Sequence, residues 1–195
     1  VIVDEGSFRE IGKIAGRGTY GADGALEDLA ASNFIFGRAN IDGRPVVASA
    51  DDFTVRGGAA DAALHRKFVQ CEAMAHEYRL PLIRMIDGTG GGGSVKTLED
   101  MGYTYIPHVP GWHEIIANLD TVPVVALALG PTAGLGAARV VASHYSIMVR
   151  GLSQLFAAGP AVAAAIGDTL DREELGGTDV HTRNGVVDDE VASEA

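Results

Sequence analysis

Four short apolar runs, spaced so that helical stretches fit between them, constrain this chain more than any other feature. "RPVVASA" at 44–50 follows the turn "IDG"; "LPLIRMID" at 80–87, "VPVVALALG" at 122–130 and "HYSIMV" at 144–149 repeat the pattern, each long enough for one buried strand. Between the first two, Leu64, Phe68, Cys71, Ala75 and Tyr78 recur at three- and four-residue steps, which predicts one face of an amphipathic helix over residues 59–79. "GWHEIIANLD" at 111–120 and "TAGLGAARVVAS" at 132–143 predict two more helices. Apolar strands alternating with helices predict an α/β domain whose sheet is buried on both faces. The first 40 residues read as a loosely structured amino-terminal arm, with "DEGSFREIG" at 4–12 as a capped turn or short helix.

The 195 residues suit one domain or a large half of a two-domain protein, and a 47% hydrophobic share is enough for a core. A net charge of −11 argues against a general nucleic-acid partner, which demands a basic footprint. Much of the acid falls late, in "DTLDREELGGTD" and "VVDDEVASE", and reads as a solvated tail. Cys71 is the lone cysteine, so an intrachain disulfide and a four-thiolate zinc site are excluded, and a cytoplasmic setting is expected, or the mitochondrial matrix in a eukaryote. No apolar run approaches the roughly 18 to 20 residues of a membrane span. The chain opens on Val1 with no charged-then-apolar leader, so a longer natural chain is expected.

Met85 to Thr97 reads "MIDGTGGGGSVKT", with five glycines in the six positions from Gly88 to Gly93. A P-loop frame from Gly90 to Lys96-Thr97 fails because β-branched Val95 stands where a second glycine must bend. Gly88, Gly90 and Gly93 fit a dinucleotide fingerprint, but about 20 residues on, where an acidic strand end should follow, the sequence is the proline-broken "YIPHVPGWHE". A second glycine-rich segment, "LGPTAGLGAARVV" at 129–141, has the same strand-before, helix-after context. Two such bends can aim backbone N–H groups at one oxygen, the geometry of an oxyanion hole; tight turns and helix-packing glycines are the alternative. The six histidines have no zincin spacing and no serine sits in a G-x-S-x-G elbow, so neither a metal nor a serine nucleophile is expected. Asp51 and Asp52 read as a strand-end turn.

Five segments in order carry a resemblance: "DEGSFREIG", "GRANIDGRPVVASADDFTVRGG", "LIRMIDGTGGGG", "VPVVALALGPTAGLGAA", and "GP" at Gly159-Pro160 followed by "EELGGTDVHTRNGVVDD". Together they resemble the amino-terminal half of the carboxyltransferase (beta) subunit of biotin-dependent acyl-CoA carboxylases, in the crotonase superfamily. The resemblance implies a spiral of strand-strand-helix repeats. It matches residues 87–91 to the family's Asp-Ser-Gly-Gly-Ala-Arg and residues 130–136 to its Gly-Pro-Cys-Ala-Gly-Gly-Ala, so that the amides of Gly90, Gly91 and Gly134, to within one residue, would face the thioester carbonyl. Gly57, Gly58, Thr132 and Ala133 would serve the CoA site; Arg56 and Lys67, which flank the "GG" and the helix start, read either as partners for its phosphates or as solvated surface charges. Thr132 replaces a cysteine, Leu135 a glycine, and the first motif's arginine is missing, which leaves the acyl group open.

The resemblance further implies transfer of a carboxyl group from biotin to the α-carbon of an acyl-CoA such as acetyl- or propionyl-CoA. Biotin itself would take the α-proton. The hydratase branch carries a catalytic glutamate where this chain has Ala138. No Met-Lys-Met biotinylation sequence is present, so a biotinyl carrier or biotin carboxylase subunit is the expected partner. The family's related second half is expected on another polypeptide or beyond Ala195, within a homo- or hetero-oligomer. Two alternatives remain: the carboxyltransferase of a glutaconyl- or methylmalonyl-CoA type decarboxylase, and a non-catalytic assembly subunit.

Overall fold

The computed structural model describes residues 2–59, 65–88, 99, 102 and 111–194. The four apolar runs become β5 (Arg44–Asp51), β6 (Leu82–Ile86), β7 (Val124–Ala128) and β9 (Tyr145–Val149), side by side and parallel. On one flank β4 (Phe34–Ile41) and β1 (Arg9–Glu10) add antiparallel; on the other, β11 (Asp189–Val191) adds parallel to β9. The sheet therefore runs β1-β4-β5-β6-β7-β9-β11.

A second, two-stranded parallel sheet pairs β8 (Pro131–Ala133) with β10 (Gln154–Phe156). It exposes the repeat: β7 and β8 lead into helix α3 (Leu135–Val141), and β9 and β10 lead into α4 (Pro160–Ala165). Each unit places one strand in the large sheet, the next in the small one, then a helix. Helices α1 (His65–Tyr78) and α2 (Trp112–Leu119) precede them, and α5 (Arg172–Gly176) and α6 (Thr178–Arg183) follow. No helix among the described residues is long and apolar enough to cross a membrane.

Period-two alternation decides what is buried. Leu82 and Ile86 of β6, with Val124, Ala126 and Ala128 of β7, face the helices and are fully buried. Phe34, Phe36, Val47, Cys71 and Ala75 complete one cluster, and Val140, Met148, Leu155 and Val187 another. Each large side chain so buried contributes about 1.5–3 kcal/mol. On the opposite face Val46, Ala48 and Ile83 are buried, but Met85, Val125 and Leu127 are partly open. Burial on both faces thus holds fully for the helix-covered side and in part for the other.

Three expectations change. The first 40 residues are not a loose arm: β4 is integral to the sheet, with Phe34 and Phe36 in the core, and "DEGSFREIG" runs through a turn into β1. Within this region β2 (Gly16–Tyr20) and β3 (Leu26–Ala31) form an antiparallel ribbon, exposed along nearly its whole length. The late acidic stretch keeps most of its acids exposed, as expected, but is ordered through α5, α6 and β11 and is not a tail. Asp171 and Glu174 form a reciprocal capping box on α5, and Asp188 Oδ2 accepts from the amide and hydroxyl of Ser146, both at 2.8 Å. Finally, Tyr78 is exposed at the end of α1, outside the buried stripe of Cys71 and Ala75.

Candidate active site

The carboxyl ends of β5, β6 and β7 bring Asp51, Asp87 and Gly130 to one end of the sheet. Beyond β5 the chain makes a left-handed turn at Arg56, Gly57 and Gly58, with φ of 55°, 61° and 65°. That turn presses directly on the backbone leaving β6. A Cβ on Gly58 would lie 2.2 Å from the Asp87 carbonyl oxygen, and one on Gly88 2.6 Å from that of Gly58. Likewise a Cβ on Gly130 would sit 2.1 Å from Asp87 Oδ1. Glycine is required by backbone contact at Gly58 and Gly88, both also at positive φ, whereas at Gly130 the contact is with a side-chain end.

The second glycine segment meets the first through the backbone. The Ala133 amide donates to the Gly88 carbonyl at 3.4 Å. Gly134, at φ 59° and ψ −122°, then turns β8 into α3. Its own amide donates to Phe156 O at 2.9 Å, as part of the small sheet's pairing, and the first bond within the helix is Ala138 N to Gly134 O. The amides of Leu135, Gly136 and Ala137 open α3, where helical geometry provides no acceptor. The donors this bend offers a ligand therefore begin one residue beyond Gly134.

The other sequence-derived positions separate. Gly90 and Gly91 lie outside the described residues. Gly57 and Gly58 form the left-handed turn, with the exposed side chain of Arg56 at the same end of the sheet. Lys67 is 8% exposed and its Nζ is 3.1 Å from Glu10 Oε1, an ion pair that joins α1 to β1. Thr132 is fully buried and its Oγ1 donates to Gly130 O at 3.2 Å, while Ala133 is half-buried beside Gly88. Cys71 is buried among apolar groups and its thiol is pushed far above the usual range, chiefly by desolvation, so it is no nucleophile. Among the described residues no three His, Cys, Asp or Glu side chains could hold a metal ion.

Sequence reasoning missed the charged groups beneath the bends. Arg139 of α3 places Nη1 3.2 and 3.3 Å from the carboxylate oxygens of Asp51, and its guanidinium lies 5.5 and 5.0 Å from the rings of Phe34 and Phe68. Asp51 Oδ2 also accepts from the Asp87 amide at 3.4 Å. Deeper still, Arg84 makes a two-pronged bond to Glu72 at 2.9 and 2.8 Å and donates through Nη1 to the carbonyls of Arg139 and Ala142, at 3.3 and 2.7 Å. An arginine inside the otherwise apolar run "LIRMID" was the available signal, since a charge on a buried strand needs a partner.

Burial, then the nearby Asp51 carboxylate, then Glu194 raise the Asp87 carboxyl above its ordinary range, and its Oδ1 has no hydrogen-bond partner. A raised carboxyl binds its proton more tightly in the folded chain, so its favourable contribution is complete below the unfolded pKa and is lost as pH rises through the folded one. Asp87→Asn is expected to raise Tm near neutral pH by about 1–2 °C, a gain that fades toward about pH 4. Thermal melts across that range check it; an equal shift at every pH contradicts it.

The strand-strand-helix units and the opposed glycine bends define a crotonase-like carboxyltransferase fold. The chain aligns with a transcarboxylase 12S crystal structure holding methylmalonyl-coenzyme A and methylmalonic acid, with TM-score 0.76 and 27% identity, over 98% of this chain and 37% of that one. A family described as the carboxyl transferase domain matches residues 1–195, and the chain belongs to it. It is 32% identical to the mitochondrial methylcrotonoyl-CoA carboxylase beta chain of Dictyostelium discoideum, over 98% of this chain and 32% of the relative. It is 28% identical to the methylmalonyl-CoA decarboxylase subunit alpha of Veillonella parvula, over 92% and 35%. The chain thus spans about a third of the length of the curated relatives it matches.

Proposed function

We propose that this chain is the acyl-CoA-binding portion of a biotin-dependent carboxyltransferase, working with a second carboxyltransferase portion and a biotinyl carrier. The observation that carries the reading is the meeting of the two glycine segments, Ala133 against Gly88, immediately before the amides that open α3, for which the described residues provide no acceptor. Carboxybiotin, brought by the partner, would supply the carboxyl group and a base for the α-proton. This chain's part is to receive the thioester oxygen. As the α C–H bond breaks, its electron pair moves into the enolate and negative charge grows on that oxygen, where amides of Leu135 or Gly136 and of the segment at Gly90 and Gly91 would stabilise it. The enolate carbon would then bond to the carboxyl carbon, freed as its bond to the biotin nitrogen breaks, and the α-proton would remain on biotin. Ala138 beside the bend offers no proton, which fits a site whose base comes from elsewhere.

The Veillonella relative's name supports a second reading, the same site run toward loss of CO2 from an acyl-CoA diacid. Incubating the protein with its second portion, carboxylated carrier and acetyl-, propionyl- or longer acyl-CoA, with labelled carboxyl, is expected to label the acyl-CoA. Gly91→Val should lower that rate by about 10²-fold or more, by blocking an amide's approach. Release of CO2 from methylmalonyl-CoA with no forward transfer favours the second reading. Loss of assembly with unchanged turnover per assembled complex in Gly91→Val overturns the oxyanion role.

A further inference from the structure

We infer that the Asp51–Arg139 ion pair is a positioning device that fixes the exit of β6, at Asp87, relative to the helix that follows the second glycine segment. Asp51 stands at the end of β5, on the other side of β6 from β7, and belongs to neither segment. One of its oxygens accepts the amide of Asp87, at the root of the first glycine segment, and both face Nη1 of Arg139, on the helix that begins at the second. The two side chains are 12% and 8% exposed, so solvent screens the pair weakly. Arg139 has little freedom to follow a moving partner. Its guanidinium lies against Phe34 and Phe68, and its carbonyl is held from below by Arg84.

Two of its nitrogens, Nε and Nη2, are buried without hydrogen-bond partners, so among the described residues Asp51 is the one carboxylate that pairs with this cation. A guanidinium paid for so incompletely by hydrogen bonds is not placed there for stability alone. What the pair does accomplish is geometric: α3 and the exit of β6 cannot shift independently while one carboxylate holds both. The consequence for turnover rests on the carboxyltransferase reading; the mechanical tie does not.

The test uses the full chain in its assembled complex, with Asp51→Asn, Arg139→Gln and the charge-keeping Arg139→Lys. Backbone amide exchange is read at Ala133, whose hydrogen bond to Gly88 joins the two segments, and at Gly134 and Ala138, whose bonds hold the start of α3, against Leu82 and Leu129 in the sheet. Asp51→Asn and Arg139→Gln are expected to speed exchange at the bend by about tenfold while the sheet amides change little, and Arg139→Lys to restore most of the protection. In a complex that carboxylates or decarboxylates, kcat should fall on the order of tenfold to a hundredfold with KM for acyl-CoA nearly unchanged. Unchanged exchange at the bend, or an equal rise across the sheet, overturns the tie. Faster exchange at the bend in a complex that turns over no acyl-CoA upholds the tie and counts against the function.

Discussion

Glu72→Ala is expected to destabilise the protein by about 3–5 kcal/mol, because it leaves the Arg84 guanidinium buried with no counter-charge. Arg84 is fully buried and Glu72 nearly so, and their pairing is geometrically complete. Asn118 adds a bond to Glu72 Oε2 at 2.9 Å and another to its carbonyl at 3.0 Å, which ties α2 to α1. The network therefore joins α1, α2, β6 and the end of α3 through one carboxylate. At this chain length the loss corresponds to a fall in Tm of about 10 °C. Removing both charges, as Glu72→Met with Arg84→Met, should recover only part of it, because the carbonyls of Arg139 and Ala142 then lose their donor. Urea denaturation of the three proteins measures both effects; a single variant within about 1 kcal/mol of the parent would show that water reaches the arginine.

Gly58→Ala should cost about 2–4 kcal/mol, combining left-handed strain with overpacking against main chain that has no room to yield. The added carbon meets the Asp87 carbonyl oxygen at 2.2 Å and Gly88 Cα at 2.8 Å. Gly57→Ala is the natural control. Its φ is equally positive, but its nearest neighbour would be a Phe53 ring carbon at 3.8 Å, so it should cost about 1 kcal/mol, the strain alone. Thermal melts separate the two substitutions, and equal losses would mean that the turn stands clear of β6. Because the clash falls on Asp87 and Gly88, Gly58→Ala should also disturb the first bend, whereas Gly57→Ala should leave it in place.

The large sheet was legible because its strands are continuous apolar runs, and Leu82, Val124 and Met148 occupy the buried positions such runs imply. The small sheet was not. β8 and β10 are three residues each, too short for periodicity, and "PTA" carries no strand preference. That omission had a direct cost at the site, since pairing near β10 occupies the Gly134 amide and moves the available donors to Leu135 and beyond. Charge partners were hidden for another reason. Asp51 and Arg139 are 88 positions apart, and no local pattern marks which acid at a strand end will meet which base on a helix. The amino-terminal strands are less marked in the sequence, because Gly37 and Arg38 interrupt "FIFGRANI"; Phe34 and Phe36 share the helix-covered face while Ala39 is buried on the opposite one.

The ribbon of β2 and β3 stands apart from this tightly shared framework. Ile14 just before it is 90% exposed, and Tyr20, Leu26 and Leu29 also face solvent, so most of the ribbon's hydrogen bonds are internal to it. Such a ribbon can fray and reclose without disturbing the sheet, and it should be the first segment nicked by a protease while the rest of the chain remains folded. A ribbon so loosely joined tolerates changes of length and side chain at little cost to the sheet, unlike the main chain packed tightly at Gly58 and Gly88.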